Sequence, residues 1–495
     1  MKTDFVLDFE KRKEADFLVV PFWEGLEETA ETKCLKGAAN AALASGDFKG
    51  KKGETLLLYG KGEKEPRFLL LGLGKPQEVT AESLRRCFGN AVRAVLSKKA
   101  KSLNVLFPHI EKWEKEKVFS AIYEGILLSN YKFNRLKGFS LKENPETLLE
   151  KIGCIGLGTT AWAEKVQMIV SGVHYVRDLV NGNADDVNPK MLADEALSFE
   201  QLSSQIKVTI FDKKWLEKEG MGLLLAVNRS SSFDPFLIQV SYKGNPHSQE
   251  HIVLVGKGVT YDTGGLSLKP TDGMLTMKCD MAGAATVLGA VRTAAALGLK
   301  VNVTAVAPVT ENCIGPTSYK LGDVYRSYLG KTVEINNTDA EGRLILADAL
   351  GYVIRNLNPT SIIDLATLTG GMVIALGEEM AGVFSNHDAL ANELMEASHS
   401  TDELLWKMPL NEDYKDCLKS DIADLINSGG RDASAMKGAL FLQEFVGSAH
   451  WAHLDIAGPA YLSKPKYYHP TKATGYGLRL LVDFLRKKET YTDPS

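Results

Sequence analysis

Two charged stretches carry the residue types of a cation-binding hydrolytic site. The first, Asn337-Thr338-Asp339-Ala340-Glu341-Gly342-Arg343-Leu344, lies between an extended run at 332–336 and a helical run at 344–354. If the backbone stays extended through Asp339 and Glu341, both carboxylates turn to one side and Ala340 to the other, with Arg343 able to join them. Carboxylates that close raise one another's pKa unless a cation sits between them, and a helix N-terminus offsets only part of that cost. Taken alone, D-x-E-x-R reads most simply as the capped start of a helix with a surface arginine.

A second stretch upstream shifts the balance. It runs from His251 through Gly256-Lys257-Gly258-Val259-Thr260-Tyr261-Asp262-Thr263-Gly264-Gly265 to Lys269, followed by Met277-Lys278-Cys279-Asp280. Residues 252–255 form a continuous apolar run of the kind buried on both faces of a parallel sheet, so Lys257 falls just past the carboxyl end of a central strand, where open α/β sheets bind ligands. A lysine in a partly dry site beside a divalent cation can lose its proton and serve as a nitrogen ligand. The glycines at 256, 258, 264 and 265 permit tight turns, whereas Gly256-Lys257-Gly258 lacks the spacing of a phosphate-cradling loop. Lys257, Asp262, Asp280, Asp339 and Glu341 are then candidate ligands, and Lys269 and Arg343 are cations without a metal. Carboxylates with one amine suit a pair of hard or borderline divalent ions, zinc or manganese, which can share a carboxylate and a water whose lowered pKa makes it a nucleophile.

These residues carry a resemblance. The sequence is similar to the two-metal, hexameric leucyl aminopeptidase (cytosol aminopeptidase) family. The stretch 337–344 matches that family's signature without a departure, and 256–265 matches with hydrophobic and Ser/Thr exchanges. The likeness extends through 277–280, Asp364-Leu365-Ala366-Thr367-Leu368-Thr369-Gly370 and Trp451-Ala452-His453-Leu454-Asp455-Ile456-Ala457-Gly458, covering residues 170–490, while the first 160 residues resemble the family only in layout. Asn183-Ala184-Asp185 departs from the family pattern, which bears on a loop and not on the chemistry.

The resemblance implies hydrolysis of the first peptide bond of a peptide with a free amino terminus, with Leu and other apolar residues preferred in a broad range. It implies that Asp262 and Glu341 bridge the metals, that Lys257 and Asp280 complete one site, and that Asp339 completes the other. Lys269 would stabilise the oxyanion, and Arg343 would hold a bicarbonate acting as general base. Met277, Thr367 and Gly370 would line the side-chain pocket, and Leu368 would offer its carbonyl to the substrate. A homohexamer in the cytoplasm is the implied assembly and location.

The elements that must position these residues follow from the rest of the chain. A chain of 495 residues, 44% hydrophobic and 24% charged, is ordinary for two α/β domains. We expect a smaller N-terminal α/β domain over 1–162, serving assembly or access. A larger doubly wound, mixed-sheet catalytic domain over 163–495 would be entered through a long helix at 163–180. In the first domain, strands at 17–20, 55–59, 68–71 and 104–107 alternate with helices at 83–96 and 117–128. In the second, strands at 207–211, 236–242, 251–255, 301–306 and 361–365 alternate with helices. Residues 282–297, rich in Ala and Gly, can pack close behind Asp280.

Other features point away from chemistry. A net charge of −4 offers no electrostatic case for nucleic acid or an anionic membrane. The N-terminus lacks an apolar signal core, and no run approaches membrane-spanning length. The six cysteines, at 34, 87, 154, 279, 313 and 417, form no C-x-x-C pair and read as reduced thiols, Cys279 as a packing residue. Gly72-Leu73-Gly74 reads as a tight turn, not a nucleotide loop. His450 and His453, like His247 and His251, read as packing or supporting residues. A binuclear phosphoesterase would use similar carboxylates but usually adds histidines, and an accessory nucleic-acid role is discouraged by the net charge.

Overall fold

Short apolar runs bounded by polar turns form most of the strands, and the longest of them end up sealed on both faces. A computed structural model of the chain describes residues 1–25, 40–60, 64–111, 113–143 and 145–490; Cys34 and the residues after 490 lie outside these. The chain divides into two compact units, Met1–Ser171 with Lys464–Thr471, and Gly172–Ser463 with Lys472–Ser495.

In the first unit, β1 (Lys2–Val6), β2 (Phe17–Trp23), β3 (Thr55–Tyr59), β4 (Arg67–Gly74), β5 (Ser102–Leu106) and β6 (Lys151–Ile155) form one sheet in the order β1-β6-β5-β2-β4-β3. Only the β3–β4 pair is antiparallel. The β1 and β6 strands were absent from the sequence reading: their residues alternate apolar with polar or glycine too weakly to signal a strand. Helices Ala81–Leu96 and Lys115–Ser129 follow their apolar periodicity, the first opening on a capping box made by Thr80 and Ser83.

The second unit is built on nine strands: β7 (Ile206–Phe211), β8 (Phe236–Lys243), β9 (Ile252–Gly256), β10 (Gly258–Asp262), β11 (Asn302–Asn312), and, after the short β12 (Val324–Arg326) and β13 (Thr332–Glu334), β14 (Ser361–Ala366), β15 (Ala381–Ser385), β16 (Leu405–Lys407) and, after β17 (Leu425–Ile426), β18 (His450–Asp455). The large sheet runs β16-β15-β18-β14-β9-β11-β8-β7, with β10 beside β11; β12, β13 and β17 make a small separate sheet. Its centre is parallel, with β9 flanked by β11 and β14 and β14 by β18, while β7, β8 and β15 join through antiparallel pairs. Every residue of β9 and β14 is buried; β9 is accordingly a continuous apolar run, whereas β14 also buries Ser361 and Asp364, the latter bonded to Trp451 and His453.

Within Thr271–Leu297 an 18-residue window reaches a mean hydropathy of 1.2, enough by length and composition alone for a bilayer span. The stretch is a short turn of helix followed by a core helix, Ala282–Leu297, whose residues from Ala282 to Val291 are all buried. Burial against the sheet accounts for its apolarity, since a helix packed on most of its circumference needs no polar face.

Candidate metal centre

The site is assembled where the chain leaves the carboxyl ends of the central parallel strands. Lys257 follows β9, donating its backbone N–H to Leu365 O of β14 (3.0 Å) and accepting from Ala284 N at the start of the core helix (2.9 Å). The approach is close enough that a Cβ on Gly283 would lie 2.2 Å from Leu365 O, so only glycine admits the helix here. The side chain of Lys257 crosses Gly342, where a Cβ would stand 2.5 Å from its Cε. Its Nζ ends 2.8 Å from Asp280 Oδ2 and 2.8 Å from Glu341 Oε1, and it donates to Thr367 O at 3.0 Å.

Asp262 closes β10. Its Oδ1 accepts from Gly264 N (2.8 Å) and from the side-chain amide of Asn312 (2.9 Å), and its Oδ2 lies 2.9 Å from Lys269 Nζ. Lys269 also pairs with Asp339. The two charged stretches are stitched together by Thr338. Its hydroxyl donates to Gly264 O (2.6 Å) and accepts from Ser267 N (2.7 Å), while its carbonyl accepts from Asn312 and from the Tyr319 hydroxyl (2.6 Å).

The extended geometry expected for Asp339-Ala340-Glu341 is not what forms. The strand before it, β13, ends at Glu334, and Asn337 turns the chain by accepting Asp339 N on its side chain (2.9 Å) and Ala340 N on its carbonyl (3.3 Å). Glu341 is the first residue of a helix, Glu341–Asn356. An Asx turn competes successfully with strand continuation, as Asn commonly does. The two carboxylates therefore reach the site from a turn and a helix start. Ligand oxygens of Asp262, Asp280 and Glu341 lie within 4.8 Å of one another, while Asp339 stands on the far side of Lys269.

Asp262, Asp280 and Glu341 are buried, as is Lys257. Asp339, Asp262, Asp280 and Glu341 set four carboxylates against the two ammonium groups of Lys257 and Lys269, leaving a net deficit of positive charge. Glu341 Oε2 is buried with no hydrogen-bond partner. Asp280 Oδ2 and Asp339 Oδ1 meet lysine only as ion pairs, off the hydrogen-bonding angle. Orphaned acceptors in a pocket of excess negative charge are what a divalent cation would satisfy, so these side chains fit a metal centre. The acidities record the same imbalance. Burial and the charge of Glu341 push Asp262 up to about 6 despite both lysines. Burial likewise drives Asp280 well above the usual carboxylate range, Lys257 only partly opposing it. Glu341 is held low because Lys257 and Lys269 outweigh its burial.

Without a metal, the field of the neighbouring carboxylates and not burial sets the proton affinity of Lys257. Burial does favour the neutral amine, but Asp280, Glu341 and Asp262 together outweigh it and hold the ammonium above its ordinary value. A nitrogen-ligand role for Lys257 therefore requires a cation to take over the charge of those carboxylates.

Arg343 is buried, and burial lowers its guanidinium to about 10. It donates to Asn427 O (2.9 Å), its Nε has no hydrogen-bond partner, and among the described residues no carboxylate comes within ion-pair distance, Glu341 and Asp455 acting on it only through space. Cys279 is buried, and burial beside Asp280 pushes its thiol up to about 12, which suits packing and not nucleophilic attack. His453 is buried and bonds Asp364 (2.5 Å), which also accepts from the Trp451 indole (2.6 Å). His251 bonds Leu357 O (3.0 Å) and the Thr304 hydroxyl (2.8 Å). Neither histidine enters the carboxylate group.

One cavity of about 1050 Å³ opens onto the cage, and Lys257, Asp262, Lys269, Met277, Asp280, Asp339, Glu341, Arg343, Thr367, Leu368 and Gly370 all line it. Sequence reasoning missed Asn312, Thr338, Asn427 and Asp455, which hold these residues from behind. No local spacing marks them, since each acts on a segment distant in sequence.

Comparison with known proteins places the chain in a family. Residues 174–482 match the description "Cytosol aminopeptidase family, catalytic domain", and residues 19–138 match that family's N-terminal domain. A probable cytosol aminopeptidase of Protochlamydia amoebophila is 53% identical over 493 residues, covering 98% of this chain and 99% of its own. Among solved structures, a mutant of tomato leucine aminopeptidase aligns with a TM-score of 0.87 at 33% identity, covering 98% of this chain and 96% of that one. The bottromycin maturation enzyme BotP in complex with Mn aligns with a TM-score of 0.86 at 30% identity, covering 96% of this chain and all of the other.

Proposed function

The chain belongs to the cytosol aminopeptidase family, and from that premise we propose that it is a metal-dependent aminopeptidase that releases the first residue of peptides with a free amino terminus, with Leu and similar apolar residues preferred. The observation that carries the reading is the cage itself, with acidic oxygens from Asp262, Asp280 and Glu341 within 4.8 Å of one another and one buried oxygen of Glu341 unsatisfied. Lys257, Asp262, Asp280, Asp339 and Glu341 would hold two divalent ions, manganese or zinc. Bound there, such ions supply Lewis acidity to a carbonyl and lower the pKa of water.

The chain's own groups do the remaining work. Lys269 lines the cavity beside two of the carboxylates, and we assign its ammonium to the negative charge that develops on the carbonyl oxygen. Arg343, a buried cation without an ion-pair partner, is suited to hold a small anion at the cavity wall. The family resemblance makes that anion bicarbonate, acting as general base, so no protein carboxylate need take that part. Met277, Thr367 and Gly370 shape the side-chain subsite, with the Leu368 carbonyl facing the substrate. Such an apolar subsite separates residues differing by one methylene by only about 1 to 3 kcal/mol, which explains a broad preference. A homohexamer in the cytoplasm belongs to the same reading, on the resemblance alone.

The deciding experiment incubates the purified protein, loaded with Mn²⁺ or Zn²⁺, with leucine amide, a blocked N-acetyl-leucine amide and a phosphate monoester. Turnover of the first alone supports the proposal. Turnover of the phosphate ester alone would replace it with a phosphoesterase.

A further inference from the structure

Behind the loop 367–370 lies a carboxylate that the hydrolytic chemistry does not use. Asp455 ends β18, paired in parallel register with Ala366, the last residue of β14. It is fully buried; among the described residues no cation comes within ion-pair distance of it, and Arg343 and His453 act on it only through space. Its charge is met instead by donors: Leu368 N (3.1 Å), Thr369 N (3.4 Å) and Ala457 N (3.3 Å) on Oδ1, and the Thr369 hydroxyl (2.6 Å) on Oδ2. A buried carboxylate without a cation is costly unless such donors surround it, so the loop and the acid hold each other in place.

The same loop is gripped from the opposite side by the cage. Thr367 O accepts from Lys257 Nζ (3.0 Å), and the Thr367 hydroxyl donates to Asp280 Oδ1 (2.7 Å). Thr367, Leu368, Thr369 and Gly370 line the cavity wall in succession. The loop is thus held on one side by Asp455 and on the other by Lys257 and Asp280.

We propose that Asp455 is a positioning residue for substrate: by holding Leu368 and Thr369 from behind, it sets where the loop meets the peptide's first residue relative to the carboxylate cage. This rests on the aminopeptidase reading for the identity of the substrate, while the loop anchoring rests on the hydrogen bonds alone. Displacing a binding wall without touching the reacting groups removes binding shared by ground state and transition state, which raises KM and leaves kcat near its original value.

The test compares wild type with Asp455→Asn and Thr369→Val as metal-loaded full-length protein. Asp455→Asn keeps the shape and removes the charge, and Thr369→Val removes one of the bonds. Expected results are a rise in KM for leucine amide of about three- to tenfold for Asp455→Asn and a smaller rise for Thr369→Val, with kcat within about twofold. Metal content should be unchanged, and amide hydrogen exchange should be faster in the peptide covering 367–370. Unchanged KM in both variants, or unchanged exchange at the loop, overturns the proposal. If Asp455→Asn does not fold, Thr369→Val decides by the same two readouts. A wild-type enzyme that leaves leucine amide intact defeats the aminopeptidase reading instead, and the exchange measurement then still judges the anchoring role of Asp455.

Discussion

Glu341 and Asp348 lie two turns apart on one helix, Glu341–Asn356, and both are buried, yet their acidities move in opposite directions. Glu341 is held below its ordinary value because the ammonium groups of Lys257 and Lys269 outweigh its burial. Asp348 is pushed up to about 7 by burial, against three backbone donors: Leu223 N (2.9 Å) and Leu224 N (3.0 Å) on one oxygen, Tyr328 N (2.8 Å) on the other. No side chain caps the helix Gly222–Asn228 from its own N-terminus, and Asp348 satisfies two of its free N–H groups from across the core. The difference teaches how to tell a reactive buried acid from a structural one. The structural acid uses all its oxygens on fixed N–H groups, whereas Glu341 keeps one oxygen unsatisfied and shares its cations with other acids.

The sharpest way to break this contrast is Glu341→Ala, which should cut leucine amide turnover by about a thousandfold or more while circular dichroism and thermal unfolding still report a folded chain. Retained turnover would remove Glu341 from the reactive class. Chelation of the purified protein should lower activity nearly as far, with recovery on adding Mn²⁺ or Zn²⁺; activity that survives exhaustive chelation would leave the unsatisfied oxygens without a function. A smaller loss, about a hundredfold and carried by kcat, is expected for Arg343→Ala, because the guanidinium is assigned to an anion that serves the chemical step and not to the substrate. A change confined to KM would make it a binding residue.

The smallest effect on activity belongs to Asp348, two turns further along the helix. Asp348→Asn should leave kcat and KM per folded molecule unchanged; its NH2 replaces an acceptor of a backbone N–H and so lowers stability at every pH, and the loss of the titrating group flattens how stability depends on pH. The folded value near 7 lies above the ordinary 3.8, so the folded chain keeps a proton that the unfolded chain releases. Its stabilising contribution is present at low pH and is lost as pH rises from about 4 to about 7, on the order of 4 kcal/mol over that window. Denaturant midpoints at intervals across this range should fall less steeply for Asp348→Asn than for wild type. An identical slope would show that Asp348 titrates as an ordinary acid.

Much of this arrangement was legible before folding. The apolar run at 252–255 announced a buried parallel strand, because a strand covered on both faces has no polar side to display. The pairing of Asp339 and Glu341 with an upstream lysine and two aspartates marked a cation site, because clustered acids are costly without one. The local path was less legible. Asn337 turns the chain where an extended strand was expected, since an Asx side chain can substitute for the next backbone partner at little cost.

By itself, then, the order of residues determined which groups could do chemistry, the two-domain α/β character, and the family to which the chain belongs, all of which depend on residue type and short-range periodicity. Only the tertiary structure decided that Lys257 meets Asp280 and Glu341, and that Asp455 rather than a nearer residue bonds the loop after β14. Those outcomes follow from strand order, which no spacing along the chain encodes.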